Sequence, residues 1–361
     1  MSSAISTLTK IYEERAVQPK TGVPVVGVTS NTVPWELLRA AGFDPVLLSP
    51  RRRHTTLADR YMEDVFSARI KAVFNFLISG EAAFLSAVVI PRTSEQEHKL
   101  YLYLREVVRQ GNPERVPEPI LYNLLHARSA EAEAYGLERT HDLKGTLERL
   151  SGRSIEPDAL SAAIAEGNAA RQAIRELLQQ REGPAPRLSG RDALALIGAW
   201  YFMDRSEYTP LAREALQEIQ TRPPLAGPRI LIKGSPQDAS DFCAAIEAHG
   251  AIVVAEDDWW GSRAAGQDID ATSDPIRAIF EKYYFDAPSP RVFPSEIADA
   301  WFLRKASEVD GVIFYLRQED DVIGWDYPRL RDYLDQRAIP HLMLRDEDSD
   351  EIGAFIERLH G

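Results

Sequence analysis

The chain has 361 residues, 44% hydrophobic and 27% charged, a globular composition with enough length for two or three domains with cores. Its formal net charge of −13 argues against nucleic acid or a membrane surface as partner, while leaving room for a local basic site for an anionic ligand. There is no uninterrupted run of 18 apolar residues, no apolar signal core in Met1 to Glu14, and a single cysteine, Cys243; the expectation is a cytoplasmic protein without a membrane span, an intrachain disulfide or a cysteine-built metal centre.

In chain order, the apolar run at 23–29 predicts a buried strand, 34–41 a helix ended by Gly42, and 45–48 a second strand. One long helical stretch is expected over 57–78, then a strand at 85–90, a helix at 94–109 and a strand at 120–125. Continuous apolar strands alternating with helices point to a parallel sheet covered on both faces. The middle of the chain shows no convincing strand and reads as helix over 159–180 and 191–205, with a break at Gly183-Pro184-Ala185-Pro186. After Pro223-Pro224 the alternation resumes, with strands at 229–233, 251–255, 311–316 and 341–344 and helices at 239–249, 275–284, 295–308, 327–336 and 349–359. The fold class expected is therefore α/β: two doubly wound parallel-sheet domains, 1–127 and 226–361, with a helical region, 128–225, between them. In such sheets ligands bind beyond the carboxyl ends of the strands, so the informative turns are 29–34, 91–95, 233–237, 256–263 and 316–325.

Those turns carry a family resemblance. The segment from Val26-Gly27-Val28-Thr29-Ser30 through Pro34-Trp35-Glu36 to Ala40-Ala41-Gly42 resembles the opening motif of 2-hydroxyacyl-CoA dehydratase and benzoyl-CoA reductase subunits, in which a strand ends in a cluster cysteine. Ile90-Pro91-Arg92-Thr93-Ser94-Glu95 is similar to their second motif, and Glu256-Asp257-Asp258-Trp259-Trp260-Gly261-Ser262-Arg263 to an acidic turn of their second α/β domain. Asp310-Gly311-Val312-Ile313, Tyr327-Pro328 and Ile339-Pro340-His341-Leu342 resemble the closing segment. The motifs lie in order over nearly the whole chain.

The resemblance implies a subunit of an acyl-CoA-transforming complex. Family members commonly hold a 4Fe–4S cluster on cysteines, and an ATP-hydrolysing activator supplies the electron for radical chemistry. Here Ser30 and Ser94 stand at the first two cysteine positions, Ser289 at a further one, and Trp259 in a turn where cysteine is frequent. The segment Gln318-Glu319-Asp320-Asp321 also lacks cysteine. A serine hydroxyl is a hard donor with a far higher pKa than a thiol, so no cluster is expected in this chain.

The resemblance thus assigns as cleft lining Ser30, Pro34, Glu36, Ser94, Glu95, Trp259, Trp260, Ser289, Asp320 and Trp325. Ser30 and Ser94 also read as helix N-caps, the latter with Glu97 three residues on. The two tryptophans read either as interdomain filling or as indole in the volume vacated by a cluster. The acidic turns at Glu256-Asp257-Asp258 and Glu319-Asp320-Asp321 could do acid/base work or bind a hard metal, but such runs read more often as solvated or helix-start charge. Arg51, Arg52 and Arg53, and Ser235 after Gly234, are candidate phosphate contacts, although a solvated loop accounts equally well for the arginines. No Walker, dinucleotide or Gly-x-Ser-x-Gly fingerprint is present. The expected function is that of a cluster-free subunit paired with an iron–sulfur homologue and served by an activator ATPase, a part of a lyase or oxidoreductase complex not competent for radical chemistry alone. The alternative is a non-redox acyl-CoA or anion-binding regulatory module on the same fold.

Overall fold

The computed structural model describes residues 3–15, 22–51, 54–111, 116–270, 274–317 and 320–360. A first helix, α1 (Ala4–Glu14), is followed by β1 (Val25–Val28), α2 (Trp35–Ala40), β2 (Asp44–Leu47), α3 (Ala68–Ile78), β3 (Leu85–Pro91), α4 (Glu95–Arg109) and β4 (Glu118–Tyr122). These strands form a wholly parallel sheet in the order β2-β1-β3-β4. Gly42 ends α2 in a left-handed conformation, φ +86°, which glycine adopts without a Cβ penalty.

Four helices come next: α5 (Ala130–Ser151), α6 (Pro157–Gln179), α7 (Gly190–Gly198) and α8 (Arg205–Gln220). The second half contains β5 (Arg229–Gly234), α9 (Asp241–Glu247), β6 (Ile252–Asp257), α10 (Pro275–Phe285), α11 (Ser295–Ala306), β7 (Gly311–Tyr315), α12 (Asp321–Gly324), α13 (Tyr327–Asp335), β8 (His341–Leu344) and α14 (Ser349–His360). Its sheet is also wholly parallel, in the order β6-β5-β7-β8. The α/β architecture with two parallel sheets is as the strand–helix alternation predicts.

Two expected helices are interrupted. The stretch 57–78 divides into a 3-10 turn at Ala58–Arg60 and α3, because Ser67 accepts the Ile70 N–H at 3.3 Å and starts a new helix. The stretch 191–205 divides at a 3-10 turn, Ala199–Tyr201, where Trp200 and Tyr201 turn into the core, and Asp204 caps α8 by accepting the Ser206 N–H at 2.8 Å.

Each sheet has two buried faces. One face of the first packs under α3 and α4 through Val88, Ile90, Val73 and Leu104. One face of the second packs under α11 and α13 through Leu231, Phe314, Phe302 and Leu330. The other two faces share a single core with the central helices, in which Val26, Ile174 and Val253 belong to one cluster. That shared core brings the carboxyl ends of the two sheets against each other. In both sheets the winding direction reverses next to the first strand, between β1 and β3 and between β5 and β7, which is where such folds open a crevice.

Candidate functional site

The loops leaving β1 and β3 meet the loops leaving β6. The Asn31 side-chain amide donates to the Ala264 carbonyl at 2.6 Å, and the Trp35 N–H donates to the Tyr283 hydroxyl at 3.2 Å. The Ser289 hydroxyl donates to the Thr93 carbonyl at 2.6 Å, and Arg291 pairs with Glu95 at 2.8 Å.

Hydroxyls dominate this junction. Ser94 occupies the N-cap of α4, accepting the Glu97 N–H at 3.2 Å, and its own hydroxyl lies 3.3 Å from the Glu97 carboxylate. Buried Glu97 also accepts from Thr29 at 3.2 Å and from Thr93. Thr93 accepts from Thr32 at 3.3 Å, so the 2.7 Å contact between Ser30 and Thr32 has Ser30 as donor. The result is a buried relay, Ser30 to Thr32 to Thr93 to Glu97, with Ser94 and Ser289 attached to it. Ser30 is not a helix cap: the N-cap of α2 is Pro34, which has no capping side chain.

Trp259 closes the network from the other half. The Arg69 guanidinium lies 5.2 Å above its ring and donates to the Thr29 carbonyl. Trp260 points away, into a fully buried aromatic cluster with Tyr12, Tyr201 and Phe202, with Arg15 5.2 Å above its ring. Beside Trp259 and Ser289 lies an open cleft, lined also by Lys233 of β5, Asp257 at the end of β6 and Arg263 in the loop that follows it.

The acidic turn after β6 is not the solvated charge that its sequence suggests. Glu256, Asp257 and Asp258 are all buried. Glu256 is held in two parallel bonds by buried Arg181 at 2.6 and 2.5 Å. Asp257 bridges Lys233 at 2.5 Å and Arg263 at 3.1 Å. Asp258 accepts the backbone N–H groups of Gln237, Trp260 and Gly261 at 2.8–2.9 Å, while burial and the neighbouring Glu256 push its carboxyl up to about 7. A carboxylate in this position folds inward because cations from the end of α6, from β5 and from the same loop reach it.

The remaining candidates separate. Glu36 is fully buried and shared by Arg171, Arg205 and Tyr283 at 2.7, 3.2 and 2.8 Å, which makes it a brace between α2, α6, α8 and α10. Arg51 is ion-paired with Glu13 at 2.8 Å. Ser235 is buried and accepts the Arg317 N–H at 3.2 Å. Asp320 lies beyond β7, its N–H donating to the Arg317 carbonyl at 3.0 Å, and Trp325 is 83% exposed. Arg52, Arg53, Gln318 and Glu319 lie outside the described residues. Cys243 sits in α9, fully buried 3.9 Å from Glu256, and burial pushes its thiol well up. Among the described residues no three His, Cys, Asp or Glu side chains come together as metal ligands, and no helix is long and apolar enough to cross a membrane.

Sequence reasoning overlooks Arg69, Arg171 and Arg181. For the last two a signal exists, an arginine on the apolar face of α6 or just after its end. Arg69 has none, because its target is 190 residues away in the chain.

The sequence pattern of the family described as 2-hydroxyglutaryl-CoA dehydratase, D-component, matches residues 30–359. Over 330 residues the chain is 22% identical to the (R)-phenyllactyl-CoA dehydratase beta subunit of Clostridium sporogenes, covering 90% of this chain and 87% of the relative. It is likewise 22% identical over 362 residues to the beta subunit of (R)-2-hydroxyglutaryl-CoA dehydratase from Acidaminococcus fermentans, covering 94% of each. A shorter match, 22% over 223 residues, joins it to one of the benzoyl-CoA reductase subunits of Thauera aromatica, with 58% and 57% coverage.

Proposed function

Since the chain belongs to the 2-hydroxyglutaryl-CoA dehydratase D-component family, we propose that it is a cytoplasmic, cluster-free subunit of a dehydratase- or reductase-like complex that acts on an acyl-CoA thioester. The relatives are themselves named as subunits of dehydratases and of a reductase, which supports a partner chain. We assign the iron–sulfur chemistry, and the activator ATPase that would supply its electron, to that homologous partner.

The observation that carries this reading is the donor set at the sheet junction. It does not fit a 4Fe–4S cluster. Ser30, Ser94 and Ser289 have their hydroxyls committed to Thr32, Glu97 and the Thr93 carbonyl, and a hydroxyl is a poor iron ligand beside a thiolate. Trp259 offers no ligand atom for iron at all. The one thiol, Cys243, lies under the Arg181–Glu256 pair. What the junction can do is hold a thioester in the adjoining cleft and keep water and the partner's reacting centre in fixed relation to it.

The test is iron content. After anaerobic purification and reconstitution with iron and sulfide, the full chain should stay colourless and retain far less than one iron per chain. Stoichiometric iron would overturn the cluster-free assignment. Co-expression with a cysteine-bearing homologue should give a stable heteromer that binds acyl-CoA. Tight acyl-CoA binding by the isolated chain with no heteromer formed favours instead the non-redox binding module.

A further inference from the structure

Beyond the carboxyl ends of β3 and β4 stands a group of basic side chains that the proposed function leaves unused. The loop 289–293 packs between the two strand ends. On one side the Ser289 hydroxyl donates to the Thr93 carbonyl at 2.6 Å and Arg291 pairs with Glu95 at 2.8 Å. On the other the Phe293 N–H donates to the His126 carbonyl at 3.1 Å, and the Arg128 N–H to the Phe293 carbonyl at 2.9 Å. Arg92 follows β3 directly, its N–H on the Tyr122 carbonyl at 3.2 Å. His98, in the first turns of α4, lies 3.8 Å from Glu95, beyond hydrogen-bonding distance. Arg291 acts on both histidines. Burial, Arg128 and Arg291 push the His126 imidazole down to about 4, and burial, Arg92 and Arg291 hold His98 below its ordinary value. Both rings are therefore largely neutral near pH 7.

These groups are short of acceptors. His126 is 3% exposed, and neither of its ring nitrogens has a hydrogen-bond partner. The Arg92 Nε is buried without one too, and among the described residues the Arg92 guanidinium forms no ion pair. Arg128 donates to the Tyr284 and Phe285 carbonyls at 2.6 and 3.0 Å, neither of which carries charge. The carboxylate beside them, Glu95, is divided between Arg291 and His98. Glu97 of the same helix is turned instead to Thr29, Thr93 and Ser94. Three guanidinium groups thus face one carboxylate, in a chain whose formal net charge is −13.

Buried donors without acceptors are costly, and cations gathered without anions repel one another. One tetrahedral oxyanion relieves both. It carries more negative charge than a carboxylate and accepts hydrogen bonds from several directions, as donors on three separate segments require. The site is within reach of solvent, since the side chains of Arg291 and His98 keep 31% and 22% of their surface exposed. We propose that Arg92, His98, His126 and Arg291, with Arg128 beside them, form a binding site for a phosphate group. The inference stands apart from the acyl-CoA reading, because inorganic phosphate and the phosphate of a nucleotide present the same oxygens.

Titration calorimetry on the full chain, in chloride buffer at constant ionic strength, tests this with inorganic phosphate, adenosine 3′,5′-bisphosphate and CoA. At least one of them should bind at a single saturable site. Arg92→Gln should weaken that binding roughly tenfold or more. Arg109→Gln makes the same change of charge at an exposed residue paired with Glu106 at 2.6 Å, and should leave the affinity unchanged. Inorganic phosphate binding as tightly as the two nucleotides identifies the free ion as the ligand, and a clear preference for the nucleotides identifies a nucleotide phosphate; either supports the site when Arg92→Gln abolishes it. No binding by any of the three, or equal losses in the two variants, overturns it. Arg92 has no ion pair to lose, so without phosphate Arg92→Gln should melt at or above the wild-type temperature. A lower melting temperature in chloride alone would show that the fold already uses this guanidinium, and would also overturn the site.

Discussion

A carboxylate cut off from solvent between two guanidinium groups stabilises a fold only while it is charged, and Glu36 is such a group. Burial opposes its ionisation, but Arg171 and Arg205 outweigh burial and hold the carboxyl down to about 2. Arg205 is itself fixed between the rings of Trp35 and Trp200, 4.4 and 4.2 Å away. Because the folded carboxyl titrates below its ordinary value of 4.5, the unfolded chain takes up the proton first on acidification. The stabilisation is therefore complete above pH 4.5 and drains away as pH falls toward 2. Glu36→Gln leaves two buried guanidinium groups without their anion and should cost about 3–5 kcal/mol near neutral pH. Urea unfolding of both proteins as a function of pH checks this: the gap should close as the pH approaches 2, and a gap independent of pH would refute the charge-based account. At this scale the sequence is legible only where partners are local. The Ser94 cap with Glu97 can be read from four consecutive residues. The burial of Glu256 cannot, because it depends on Arg181, 75 positions earlier.

Helices α2 and α6 come close enough that one position tolerates nothing beyond hydrogen. A Cβ on Gly167 would stand 2.5 Å from the Glu36 carboxylate and 3.1–3.2 Å from the guanidinium nitrogens of Arg171 and Arg205. Replacing a mid-helix glycine by alanine ordinarily gains about 1 kcal/mol from helix propensity. Gly167→Ala should nevertheless lose about 1–3 kcal/mol, since overpacking here displaces charged groups as well as carbon. Gly145→Ala in α5, where nothing lies within 4 Å, is the internal control and should gain stability. Thermal unfolding of the pair decides it, and a stabilised Gly167→Ala protein would mean that α2 and α6 can slide apart at little cost. Elements as such are largely legible: each of the eight strands among the described residues overlaps the apolar run that predicts it, because the inner strands of a parallel sheet, buried on both faces, leave continuous hydrophobic stretches. The breaks inside 57–78 and 191–205 are not: the first falls at the Ser67 cap and the second at Gly198, where α7 passes into a 3-10 turn, and neither residue by itself marks a helix end in the sequence. Helix α1 is hard to read as well: its buried residues, Ala4, Leu8 and Tyr12, are few and acquire meaning only against α7 and α8.

The two sheets, the central helices and the N-terminal helix are locked at Arg15, and this makes the molecule one cooperative body. Arg15 closes α1 and donates to the Ser49 carbonyl and hydroxyl, beyond β2, at 3.1 and 3.0 Å. It also reaches the Asp238 carboxylate, beyond β5, at 3.4 Å, and that carboxylate accepts from Ser49 at 2.6 Å. Its guanidinium is covered by the rings of Tyr12, Phe202 and Trp260 at 5.0–5.6 Å. A single side chain thus ties the carboxyl ends of both sheets to the N-terminal helix and the aromatic cluster packed on it. Units joined through a shared core and buried charge unfold together, whereas units joined only through a linker melt separately. The intact protein should therefore show one calorimetric transition. In Arg15→Ala, Asp238 loses its guanidinium and the aromatic cover loses its cation, so the cost should be about 3–5 kcal/mol. The loss falls on the contact between the halves rather than on either sheet, so the single transition should broaden or split in two. A variant that melts in one transition at the wild-type temperature would show that the apolar core alone holds the halves in register.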